Sequence, residues 1–133
     1  MFKSLIHKHK LKNAFYHCFE PLQSVFGNVP KAMRTDRHIN ASILGTCRAY
    51  AEWHKLNEKT FVLIVDAVFE EVYRQDSIAV QNRTEQWLQE ADDIFMAAYY
   101  AAKKHYQGQL DLSWLADYSK THFRKAFEVY HAT

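Results

Sequence analysis

Apolar residues return at three- and four-residue intervals along nearly the whole chain, the spacing that gathers them on one face of an α-helix. It predicts a first helix over about 2–19, with Leu11, Phe15, Cys18 and Leu22 as its stripe. Glu20 precedes Pro21, and a residue before proline is biased away from helical geometry. Pro21 therefore either opens a short second piece to Phe26 or kinks one longer helix. Residues 27–38 hold Gly27, Asn28, Pro30 and Asp36 with little apolar periodicity, and read as a connection carrying Lys31, Arg34 and Arg37.

A second helix is predicted over about 36–56, with Ile39, Ile43, Cys47, Tyr50 and His54 on one face and Arg48, Glu52 and Lys55 opposite. Gly45 interrupts it. An interior glycine costs about 1 kcal/mol relative to alanine, so this one marks either a close backbone approach or a turn. The third helix starts at Asn57, a good N-cap, with Leu56 and Phe61 placed as a hydrophobic staple. Its run from Phe61 to Tyr73 is apolar almost all round and is expected to be the most buried element. Phe61–Val65 would suit a strand, but Val68 and Val72 continue the helical period. Asn82 and Glu85 suggest a capping box opening a fourth helix over about 84–106. Its inner face is Leu88, Ala91, Phe95, Ala98 and Ala102, flanked by Trp87, Ile94 and Ala101, and Gly108 ends it. A fifth helix follows Asp111, with Leu110 and Leu115 as its staple and Leu112, Leu115, Phe123, Ala126, Phe127 and Tyr130 as its stripe. The expected fold is all-α: one domain, a bundle of about five helices, mostly antiparallel because the connections are short.

Composition agrees. Hydrophobic residues make up 48%, aromatic residues 15% and charged residues 24% of the 133 residues, enough to build a core and too aromatic for a disordered chain. The net charge of +2 hides an asymmetry. Lys3, Lys8, Lys10, Lys12, Lys31, Arg34 and Arg37 face only Glu20 and Asp36 in the first 38 residues. Asp66, Glu70, Glu71, Asp76, Glu85, Glu90, Asp92 and Asp93 outnumber Arg74 and Arg83 further on. Such polarity can steer an acidic partner or dock one copy on another. Cys18 and Cys47 lie on apolar stripes without CxxC spacing and read as buried thiols. The first ten residues lack the apolar core of a signal peptide, and no apolar run is long enough for a membrane span. A cytoplasmic protein is expected, without membrane association.

No GxSxG, P-loop, GxGxxG or HExxH pattern is present, so a non-catalytic role is favoured and no cofactor is expected. Aromatic residues are the better lead. Trp53, Tyr73, Trp87, Tyr99, Tyr100 and Tyr106 exceed what one small core takes, and aromatics supply contact area at protein interfaces. The expected partner-binding set is Tyr73, Trp87, Tyr99 and Tyr100 with Asp92 and Asp93 at its rim, serving a protein partner or self-association. Two alternatives compete. Glu128-x-x-His131, with His54, could supply metal ligands, because an i,i+3 carboxylate and imidazole share a helical face. Residues 36–55, with the small residue Ala41 and Gly45 four positions later, could form a helix-turn-helix that presents Arg48 to DNA, aided by the basic HKHKLK segment around His7 and His9.

Overall fold

A computed structural model describes the backbone of residues 2–132 and the side chains of residues 4–123. Six α-helices are present among the described residues: α1 (Phe2–Phe19), α2 (Arg37–Trp53), α3 (Glu58–Tyr73), α4 (Ser77–Gln89), α5 (Asp93–His105) and α6 (Ser113–Ala132). Short 3₁₀ turns at Glu20–Leu22, Lys31–Thr35 and Arg74–Asp76 complete the path. The all-α bundle is thus as expected. Ala126, Phe127 and Tyr130, assigned above to the last stripe, lie outside the described side chains.

Local chemistry explains most boundaries. The Asp36 carboxylate accepts from the Ile39 N–H at 2.7 Å, and the Asn57 side chain accepts from the Thr60 N–H at 2.8 Å. Each satisfies a backbone donor that the first helical turn cannot pair internally. α2 ends earlier than expected, at Trp53, because Lys55 turns left-handed (φ 55°) and the Leu56 N–H returns to the Ala51 carbonyl at 2.8 Å. That closure is the usual one for a helix C-terminus, here without glycine. Gly108 takes a positive φ of 88° but is not the helix stop expected: α5 ends at His105 and Tyr106 is already extended, so Gly108 turns the following connection, with the Trp53 indole against it.

The predicted fourth helix is two helices. Ala91, expected on its inner face, has φ 52° and is exposed. The Ala91 N–H bonds the Leu88 carbonyl and the Asp92 N–H bonds the Trp87 carbonyl, both at 3.1 Å, closing α4. Asp92 then caps α5 by accepting from the Phe95 N–H at 3.0 Å. Asn82 does not open a helix; it lies within α4, which starts at Ser77. Alanine and leucine mask this break from a periodicity reading, because nothing about them announces a left-handed residue.

The most buried element is α2, not α3. Twelve of its 17 residues are buried, among them Asn40, Ser42 and Thr46. Asn40 Nδ2 donates to the carbonyls of Met33 (3.0 Å) and Asp36 (2.9 Å), its Oδ1 accepts from the Tyr73 hydroxyl at 2.6 Å, and Ser42 donates to the His38 carbonyl at 2.7 Å. Asn40 and Ser42 tolerate the core because they are bonded in this way, whereas the Thr46 hydroxyl is buried without a partner among the described residues. α3 instead exposes Val62 (46%) and Leu63 (47%), and its Asp66 faces solvent, accepting from Gln81 at 2.7 Å.

Helix directions follow from pairwise contacts. Asn40 meets Tyr73 and Arg48 meets Glu58, so α2 and α3 run antiparallel, as short loops require. α2 and α5 run parallel, and this pair is the closest in the bundle. Arg37 meets Asp92 near the two starts, Gly45 meets Tyr99 and Ala102 midway, and Glu52 meets Lys103 near the ends. They are not consecutive, so the short-loop rule does not bind them. A β-carbon on Gly45 would stand 2.5 Å from the Tyr99 carbonyl oxygen, which is why glycine is there.

Candidate interaction surface

The α2–α5 pair decides where the expected partner-binding residues go. Phe95, Ala98, Tyr99 and Ala102 are the inner side of α5, packed on α2. Tyr99 is only 8% exposed, with the Lys103 ammonium 5.9 Å from its ring centre. Burial raises its phenol pKa, partly offset by Lys103 and Arg48. Tyr73 is also inside: 3% exposed, with its hydroxyl bonded to Asn40 and to the Met33 carbonyl. Its place is the core rather than a contact surface, and the physical reason is that buried phenol–amide network. Asp92 is half-buried at the α4–α5 corner, where it both caps α5 and pairs with Arg37 at 3.2 Å. Arg37 in turn lies 5.5 Å from the Trp87 ring centre, and Trp87 packs on Phe95 at 6.0 Å. Of the six expected residues, Asp93 and Tyr100 are exposed: Asp93 lies in the first turn of α5, and Tyr100 has its ring edge-on to Tyr99 at 5.4 Å.

They have neighbours that sequence reasoning placed elsewhere. Ile94 and Ala101, read above as flanking the inner face, are exposed, as is Ala97 between them. Ile94 is 61% and Tyr100 55% accessible. At about 100° per residue, Asp93, Ile94, Ala97, Tyr100, Ala101 and Lys104 all fall within about 60° of one line along the outer side of α5. The result is an apolar strip with an acid at its N-terminal end and a base at its C-terminal end. Neither Asp93 nor Lys104 forms an ion pair among the described residues, whereas their neighbours Asp92 and Lys103 pair with Arg37 and Glu52. The 93–94–97–100–101–104 spacing is visible in the sequence. What hides it is the second stripe of Phe95, Ala98 and Ala102, since a helix apolar on two sides does not say which side is inward.

The alternative sites fare differently. The His54 Nε2 lies 3.1 Å from the Tyr106 hydroxyl, its ring 4.2 Å from that of Tyr50 and 5.1 Å from that of His7. His7 Nδ1 meets the Tyr50 hydroxyl. Burial pushes the Tyr50 phenol up to about 12, so it stays a neutral hydrogen-bonding group at ordinary pH. This imidazole–phenol cluster joins the start of α1 to the end of α2, and sequence reasoning missed it because its members are distant in the chain. Glu128 and His131 lie outside the described side chains. Among the described residues, no three His, Cys, Asp or Glu side chains converge. Glu58, four residues after His54, is held instead by Arg48 through two hydrogen bonds of 2.9 and 3.0 Å, which lower its carboxyl pKa.

The fold lends no support to the DNA-binding reading of residues 36–55: Arg37–Trp53 is one continuous helix, with Gly45 inside it rather than at a turn. A recognition helix must offer its side chains to a groove, and α2 is enclosed by α3, α5 and α6. Arg48 is committed to Glu58 and lies 3.5 Å from the Phe61 ring centre. Of the basic N-terminal segment, Lys8 and Lys12 share a groove with Asp66, Glu70 and Glu71, so part of the charge asymmetry is balanced within one molecule. Cys18 and Cys47 are free, buried thiols; burial pushes both up to about 12 and keeps them protonated, which disfavours nucleophilic chemistry. No helix among the described residues is long and apolar enough to cross a membrane.

No protein-family model matches the chain, no curated protein matches it, and no solved structure matches it. The surface itself must therefore carry the functional reading.

Proposed function

We propose that this chain is a non-catalytic protein-interaction module of the cytoplasm, and that it docks through the outer side of α5. The observation that carries this reading is the exposed row Ile94, Ala97, Tyr100 and Ala101 on a helix whose opposite side is locked onto α2. Isolated exposed apolar residues are ordinary, but neighbouring ones on a rigid element form a surface that loses little entropy on binding. Tyr100 suits the centre of such a contact: it offers a large, stiff apolar ring and keeps a polar tip. Trp87 lies on the other side of α5, against Phe95 and beside Arg37 of α2, and is not part of this surface.

The test is site-specific photocrosslinking in cells, with benzoylphenylalanine at Ile94, a large exposed residue on the flank of this face, and, as a control, at the exposed Lys59 of α3. Adducts from position 94 that are absent from position 59, and lost when Tyr100→Ala is added, support the face. No adduct from position 94, or equal adducts from both, overturns it.

A further inference from the structure

The outer side of α5 is complementary to itself when reversed. Resting on the docking reading above, we infer that its partner is a second copy of this chain, packed helix to helix and antiparallel about a two-fold axis. α5 carries Asp93 at one end and Lys104 at the other, eleven residues and about 16 Å apart along the axis. Reversing a second α5 around the midpoint between Ala97 and Ala101 sets Asp93 level with the partner subunit's Lys104, on the same flank, at both ends of the contact. At the centre, Ala97 opposes the partner subunit's Ala101, and small residues there let two helices approach closely. Tyr100 lies on one flank about one residue from the axis, so the two tyrosine rings come side by side. Ile94 lies on the other flank and covers the partner subunit's Ala101. A two-fold contact requires one patch to match itself in this way. A parallel arrangement would put Asp93 against Asp93 and Lys104 against Lys104.

On α5, Asp93 and Lys104 stand in the first and last turns and form no ion pair among the described residues. The adjacent Asp92 and Lys103 are consumed by Arg37 and Glu52 within the molecule. The helix is 13 residues long, about 20 Å, so the contact is at the small end of specific interfaces.

Sedimentation velocity from 5 to 500 µM tests this, in the wild type and in two charge-reversed variants, Asp93→Lys and Lys104→Asp. The wild type is expected to shift from monomer to dimer across the range. Each variant alone sets like charges against each other at both ends and should weaken association about tenfold or more. An equimolar mixture of the two restores both opposite-charge pairs, so a heterodimer should return at wild-type strength. Ala101→Glu, at an exposed central position away from the helix ends, should abolish the dimer while circular dichroism stays unchanged. A wild type that remains monomeric to 500 µM overturns the inference, as does a mixture no tighter than its components. Crosslinking from Ile94 separates the two readings: an adduct to a different protein, with a monomeric wild type, leaves the docking face and removes the second copy as its partner. Absence of any adduct removes both.

Discussion

Replacing Gly45 with alanine should destabilise the protein, against the trend that helix propensity sets. In an ordinary helix interior, glycine to alanine gains about 1 kcal/mol. Here the new β-carbon would stand 2.5 Å from the Tyr99 carbonyl oxygen, 3.3 Å from its carbonyl carbon and 3.1 Å from the Ala102 β-carbon. A carbon–oxygen contact needs roughly 3.3 Å, so α5 must retreat by most of an ångström from α2. The obstacle is backbone, so no rotamer change relieves it. The retreat opens the closest contact in the core, where Phe95 and Ile43 are fully buried. Overpacking costs typically about 1–3 kcal/mol and more where backbone must move. Set against the propensity gain, a net loss of about 1–3 kcal/mol is expected, which lowers the thermal midpoint by about 3–10 °C. Urea unfolding followed by helical circular dichroism measures it, with an unchanged m-value showing that the unfolding transition keeps its character. Adding Ala102→Gly should recover little, because the carbonyl of residue 99 remains. A Gly45→Ala variant as stable as the wild type, or full recovery by Ala102→Gly, would refute the close-approach account.

Three further outcomes follow from the same core. Tyr73→Phe strips the donor from Asn40 Oδ1 and leaves a buried acceptor unpaired; a loss of about 1–3 kcal/mol in urea unfolding is expected. His38 stacks on Tyr118 at 4.0 Å with its Nδ1 sealed from solvent and lacking a hydrogen-bond partner. Burial lowers its pKa, with Asp36 opposing and His122 reinforcing. Its contribution is therefore present above the unfolded value near 6.5 and is lost as pH falls through the folded value; unfolding midpoints taken from pH 7 to pH 4.5 should fall less steeply in His38→Gln. Cys18 and Cys47 titrate near 12 when folded and about 9 when unfolded. Stability should then decline as pH rises above about 9, where the unfolded chain releases those protons first, and thiol labelling at pH 8 should proceed at the rate of opening; immediate reaction of both thiols would contradict their burial.

Much of the local structure was legible in the sequence. Asn57 caps α3, and α1 ends at Phe19, two residues before Pro21, because capping and proline geometry involve neighbours in the chain. Cys18 and Cys47 were read correctly as buried. The α4–α5 break escaped because Ala91 adopts a conformation that its side chain does not advertise. The candidate surface was half legible: Asp93 and Tyr100 belong to it, whereas Tyr73 and Tyr99 were taken inward by Asn40 and by α2.

What the sequence by itself determined is where helices begin, most of where they end, and that each has an apolar side to bury. Those properties are set by hydrogen bonds and sterics across four or five residues. Which helix becomes the centre, and which side of α5 turns outward, was decided only by tertiary structure. α2 is central because Gly45 lets α5 lie against it and because Asn40 finds bonding partners when Tyr73 of α3 and the Lys31–Thr35 turn close over it, while Ser42 is satisfied within α2 by the His38 carbonyl. α5 has two apolar stripes, and the one that met α2 became core. The other, from Ile94 to Ala101, was left to solvent, since a helix can bury against a given neighbour only the side that faces it.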